Sequence, residues 1–137
     1  MKKIFSFVMA CIFIIVFTFS ANAQVIDSAS PYWLNTFKIY MCHDWNQGDA
    51  DCVIEVVGYS GVTLINNIDI TFLQEDYNGG WTEIARWDDL SVASDYFLWE
   101  ETIENTPYGY TYRLTLSFDI YRNGTVEHID EYFDKMY

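Results

Sequence analysis

From Tyr108 to Tyr121 the chain alternates apolar and polar residues with a period of two, and no other feature limits its fold so tightly. Tyr110, Tyr112, Leu114, Leu116, Phe118 and Ile120 share one parity; Thr111, Arg113, Thr115, Ser117 and Asp119 share the other. Successive side chains of a strand point to opposite faces, so this pattern predicts a half-buried β-strand. Asn123-Gly124 follows at once, the dipeptide best suited to a two-residue hairpin. Thr125 to Phe133 is then expected to return antiparallel. Its poorer and more charged pattern suits an edge strand.

The same period recurs upstream. Leu64 to Gln74 places Ile68, Ile70 and Phe72 opposite Asp69 and Thr71, and Asn78-Gly79-Gly80 turns it into Trp81 to Trp87. Cys52, Ile54, Val56 and Gly58 share a face that ends at the turn Gly58-Tyr59-Ser60-Gly61. Trp33 to Met41 and Val92 to Ile103 complete the set. Trp99 to Glu104 could form a helical turn, but its β-branched members and the Asn105-Thr106-Pro107 stop favour a strand. About seven short strands predict an all-β chain, an antiparallel β-sandwich of immunoglobulin/fibronectin-like architecture. It is not an immunoglobulin domain proper, because such domains place two cysteines on distant facing strands with a Trp between. Tyr110 or Tyr112 is a candidate tyrosine corner.

The first 23 residues read differently. Lys2 and Lys3 precede an apolar run from Ile4 to Phe19, and Ala21-Asn22-Ala23 supplies small residues for cleavage. This is the tripartite form of a secretory signal. The run is shorter than the roughly 20 residues a helix needs to span a bilayer. Val8-Met9-Ala10-Cys11 loosely resembles a lipobox, but cleavage there would strand Ile12 to Phe19 on the exported protein. The expected organisation is therefore a signal peptide over 1–23 and one sandwich domain over 24–137. The protein is expected to be secreted, with no stable membrane insertion once the signal is removed.

Cleavage sharpens the charge. Both leader lysines leave with it, so five basic and twenty acidic side chains remain from Gln24 onward. Neutralising phosphates requires Lys and Arg, which disfavours a nucleic-acid partner. Anionic surfaces are likewise expected to repel the domain. The aromatic content is high enough to build a core despite the charge.

Cys42 and Cys52 are the cysteines beyond the leader, and an even pair in an exported chain predicts a disulfide. A loop of this length is expected to contribute about 3 kcal/mol when unstrained. The alternative is two thiols. No CxxC spacing supports redox catalysis.

Between the cysteines lies an acidic segment with Asp44, Asn46, Asp49 and Asp51 around Gly48. Hard cations take several oxygen ligands, so these four are the candidate calcium ligands, with no other cofactor implied. Asp44, Asn46 and Glu55 match EF-hand positions one, three and twelve. Gly48 is one place early, however, and Asp51 occupies an apolar position. A solvated hairpin is the plainer reading. Trp81, Trp87 and Trp99 are the candidate ligand-binding rings, since flat exposed aromatics stack on sugar faces. Core filling is the competing role, because aromatics are ordinary strand residues.

Enzymatic signals are sparse. Nucleophilic catalysis needs a base beside Ser, Cys or Thr, and His43 and His128 are the only histidines. Twenty carboxylates offer no selected pair for glycoside hydrolysis. Asn123-Gly124-Thr125 matches a glycosylation sequon but also spells the hairpin turn.

The segment Cys52 to Thr63 resembles the strand-turn-strand of a family of small exported domains from Gram-positive anaerobic bacteria. The similarity extends through Ile68 to Gln74, the Gly79-Gly80-Trp81 turn, Trp87 and Tyr112-Arg113. The resemblance implies a β-sandwich and carries no catalytic residues. This chain departs from it in being strongly acidic where Lys- and Ser-rich surfaces are expected. Taken together, the sequence predicts an exported, non-catalytic binding domain that contacts an extracellular protein or glycan. A calcium-dependent carbohydrate-binding module is the first alternative and a small secreted hydrolase the second.

Overall fold

The computed structural model describes residues 25–26 and 33–137. Eight strands follow in chain order: β1 (Val25–Ile26), β2 (Thr36–Asn46), β3 (Asp49–Gly58), β4 (Val62–Glu75), β5 (Trp81–Val92), β6 (Tyr96–Ile103), β7 (Thr111–Arg122) and β8 (Thr125–Met136). All pairings are antiparallel. One sheet has the order β1-β2-β3-β6 and the other β5-β4-β7-β8. The all-β expectation holds, and the described residues contain no helix. The leader and its cleavage after Ala23 fall on residues 1–23, outside the described residues.

Alternation builds the core. Tyr112, Leu114, Leu116, Phe118 and Ile120 on β7 are buried, facing Ile65, Ile68, Ile70 and Phe72 on β4 within the same sheet. Ile39, Met41, Ile54 and Val56 line the inner face of the opposite sheet. Burying such side chains supplies roughly 1.5–3 kcal/mol each before entropy is counted. Asn123-Gly124 forms the expected tight turn, with both residues at positive φ (51° and 80°). β8 lies at the sheet edge, as its charged pattern predicts.

Two side-chain ties lock the ends. Glu127 on β8 accepts hydrogen bonds from the backbone N–H groups of Leu34 and Asn35 at 2.6 and 2.8 Å, tying the entry to β2 onto the other sheet. The Tyr112 hydroxyl donates to the Pro107 carbonyl, five residues upstream, at 2.7 Å.

The disulfide expectation is corrected. Cys42 and Cys52 are free thiols. The β2–β3 hairpin turns on two residues, Gln47 and Gly48, both at positive φ (54° and 95°). That turn pairs Cys42 with Val53 and His43 with Cys52. Cys52 therefore points into the core, while Cys42 points out of the sheet and is only partly buried. Side chains on opposite faces cannot be bridged without moving the backbone, because a one-residue slip would turn a whole strand inside out.

Candidate functional site

The three candidate tryptophans do not form one surface. Trp99 on β6 is 8% exposed. Trp87 on β5 packs edge-on against it, with ring centroids 4.8 Å apart. Trp99 is buried and Trp87 is partly buried against the core, so the pair packs into the interior between the sheets and forms no flat exposed platform. Trp81 is different. Spacing alone puts Trp81 and Trp87 on one side of β5, but a bulge separates them. Phe72 pairs with Ala85 and Leu73 with Glu83, leaving Ile84 as an extra residue. A bulge of this kind reverses the alternation beyond it, so Trp81 lies on the outer face of the β5-β4-β7-β8 sheet.

There Trp81 meets two residues that the sequence reading left aside. The Arg113 guanidinium lies 4.3 Å from the Trp81 ring centroid and 4.2 Å from that of Tyr132. Asp134 fixes it from the side, accepting from Nε and Nη2 at 2.7 Å each. The fork geometry orients the cation, and each ring contact adds about 0.5–1 kcal/mol at a surface site. Tyr132 remains 56% exposed. Register explains the cluster: Arg113 pairs with Leu73 on β4 and with Asp134 on β8, and Tyr132 pairs with Thr115. Arg113 was visible as the one cation on the polar parity of β7. Its partners were not, because they arrive from two other strands.

A groove of about 430 Å³ opens beside this stack, lined by Leu73, Thr115, Ser117, Asp130 and Tyr132 among others. Leu73 supplies an apolar floor, while the hydroxyls and Asp130 supply hydrogen-bonding groups. A surface of this kind suits a ligand with both flat apolar faces and many hydroxyls.

The acidic hairpin holds its carboxylates apart. Asp44, Asn46, Asp49 and Asp51 all point outward from the β2–β3 hairpin, with Asp44 paired to Asp51 and Asn46 to Asp49. Each Asp is engaged elsewhere. Asp44 accepts from Lys135 Nζ at 3.1 Å, Asp49 from the Asn105 backbone N–H at 3.0 Å, and Asp51 from the Thr102 hydroxyl at 2.7 Å. Among the described residues, no three His, Cys, Asp or Glu side chains converge to hold a metal ion. A two-residue turn also leaves no twelve-residue loop for the EF-hand geometry.

The histidines occupy contrasting places. His43 is fully buried, and neither ring nitrogen has a hydrogen-bond partner. The rings of Trp45, Phe72 and Phe133 surround it at 5.1–5.3 Å. Burial lowers its pKa to about 4. His128 lies on the outer face of β8, its Nδ1 2.6 Å from Asp119 and its Nε2 3.3 Å from Asp130. The Asp119 contact raises its pKa above the ordinary histidine value. Carboxylates engage both nitrogens, so neither is placed to take a proton from a hydroxyl nucleophile.

No protein-family model matches this chain, and no curated protein is similar to it.

Proposed function

We propose that the protein is an exported, non-catalytic binding domain that engages an extracellular glycan through the outer face of its β5-β4-β7-β8 sheet. The observation that carries this reading is the Trp81–Arg113–Tyr132 stack beside a hydroxyl-lined groove. A preorganised cluster of aromatic rings and polar groups binds with little further loss of entropy. The scaffold itself is immunoglobulin/fibronectin-like. Leaving aside the two-residue β1, three strands in the order β2-β3-β6 against four in the order β5-β4-β7-β8 support that reading. So does Tyr112, which sits at the start of β7 and bonds back across the β6–β7 corner as a tyrosine corner does. The small exported domains from Gram-positive anaerobes remain the proposed relatives.

An extracellular protein is the other partner class, and the two separate in a single experiment. The exported protein is screened on a glycan array and in parallel by pull-down, each with Trp81→Ala and Tyr132→Ala variants. Glycan signals that both substitutions abolish support the reading. Partner capture indifferent to both would overturn it.

A further inference from the structure

We infer that the outer face of the β5-β4-β7-β8 sheet is an extended track for a linear, uncharged polysaccharide running along β7, with contacts on both sides of the Arg113 stack. The inference rests on the glycan reading of this face and adds the shape and charge of the ligand.

Two depressions lie on the face, not one. Beyond the groove at Thr115 and Ser117, a second of about 200 Å³ is lined by Glu75, Tyr77, Tyr110 and Thr111 among others. Thr111, Arg113, Thr115 and Ser117 are consecutive outward residues of β7; Thr111 lines the second depression and the other three line the first, so the two are neighbours along the strand. At a strand rise of about 3.3 Å per residue, Thr111 to Ser117 spans roughly 20 Å, much longer than a single sugar ring.

The far end is as well prepared as the near end. Tyr77 is 90% exposed, and its hydroxyl is 2.6 Å from that of Tyr110. The turn that carries it is pinned by Asp76, whose Oδ1 accepts from the N–H groups of Asn78 and Gly80 at 2.8 Å each. A Cβ on Gly80 would come within 2.5 Å of Asp76 Oδ2, so a side chain there would displace the carboxylate that pins the turn. Aromatic side chains therefore stand at one end of the track, Tyr77 and Tyr110, and at its centre, where Trp81 and Tyr132 flank Arg113.

Charge selects among glycans. Glu75, Asp76, Asp130 and Asp134 border the track. Its central cation, Arg113, is already spent on Asp134. A uronic acid or sulfated chain would meet carboxylates with no free cation. The backbone hydrogen bonds of β4 and β7 are consumed within the sheet. An extended peptide would gain affinity by adding to a sheet edge. The face instead offers rings, hydroxyls and carboxylates, which are partners for sugars.

The test is calorimetric titration of the exported protein with β-1,4-linked glucose and N-acetylglucosamine oligomers of two to six units, and with polygalacturonate. At least one neutral series is expected to tighten by about tenfold or more from dimer to hexamer, and polygalacturonate is expected not to bind. Tyr77→Ala and Tyr132→Ala are each expected to weaken hexamer binding by about tenfold, with the far-UV circular dichroism spectrum of the folded domain unchanged. A dimer that binds as tightly as a hexamer, or a neutral Tyr77→Ala beside a damaging Tyr132→Ala, overturns the track and leaves a one-groove glycan site. Polygalacturonate binding overturns the charge selection. Absence of binding to every sugar overturns both the track and the glycan reading.

Discussion

His43 is the residue whose environment departs furthest from what its chemistry prefers. An imidazole with both nitrogens unpartnered in a box of rings bears a desolvation cost that an apolar side chain would not. The Lys135 backbone, Asp134 and Asp44 favour its protonation without overcoming burial, and the Lys135 ammonium opposes it. A base whose folded pKa lies below its unfolded value binds its proton less readily in the folded state than in the unfolded chain. Its folded state therefore loses ground as pH falls through the unfolded value, near 6.5, toward about 4. By pH 5 this amounts to roughly 2 kcal/mol. His43→Phe should raise the stability at pH 7 by about 1 kcal/mol, and urea unfolding should show the gap between variant and wild type widening from pH 7 to pH 5. A constant gap would mean that the imidazole is not buried neutral. Tyr112 presents the opposite case, a buried hydroxyl that is satisfied. Tyr112→Phe removes its bond to the Pro107 carbonyl and should lower the urea midpoint by the equivalent of about 1 kcal/mol with an unchanged m-value.

At the scale of strands and turns, what was legible in the sequence was whatever a local rule dictates. The Asn123-Gly124 hairpin, the buried parity of β7 and the edge position of β8 follow from alternation and turn chemistry. What escaped was register, which depends on one residue more or less. The extra Ile84 sends Trp81 outward and Trp87 inward, a reversal that spacing cannot reveal. The two-residue turn at Gln47-Gly48 sets Cys42 and Cys52 on opposite faces, where a three-residue turn would have aligned them. The candidate site was only partly readable for the same reason: Trp81 was found, but Arg113 and Tyr132 join it through pairings with other strands. The register makes its own prediction about the thiols. Burial pushes the Cys52 thiol well above its ordinary value, so a thiol reagent should modify Cys42 in the native domain and reach Cys52 only after denaturation. Reductant should leave the melting temperature unchanged. Thiols that appear only after reduction, with a lower melting temperature in reductant, would restore the disulfide. Millimolar calcium should also leave the melting temperature unchanged, since Asp44, Asp49 and Asp51 are each bonded to a different neighbour.

The whole molecule carries a charge imbalance that its ion pairs do not relieve. Five basic side chains follow Gln24, and every one is already engaged. Lys38 pairs with Glu55, Arg86 with Glu83 and Asp88, Arg113 with Asp134, and Lys135 with Asp44, while Arg122 donates to the carbonyls of Ser60 and Leu34. Among the described residues, most carboxylates therefore have no cationic partner. Salt acts on these two populations in opposite senses. It weakens the surface pairs, but such pairs contribute only about 0–1 kcal/mol each, and the bidentate Arg113–Asp134 contact is the best oriented of them. It also screens the mutual repulsion of the surplus carboxylates, whose separations across a small domain are comparable to a Debye length of about 30 Å at 0.01 M and well beyond the roughly 3 Å at 1 M. Repulsion compresses into the folded state and relaxes in the unfolded chain, so screening it favours folding. The second effect should win, and the melting temperature should rise steadily from 0.01 to 0.5 M sodium chloride. Chloride and fluoride salts should agree over that range, which separates screening from specific ion effects. A melting temperature that fell with salt would mean that the few ion pairs outweigh the carboxylate surplus, and Arg113→Gln would then be expected to abolish most of the dependence.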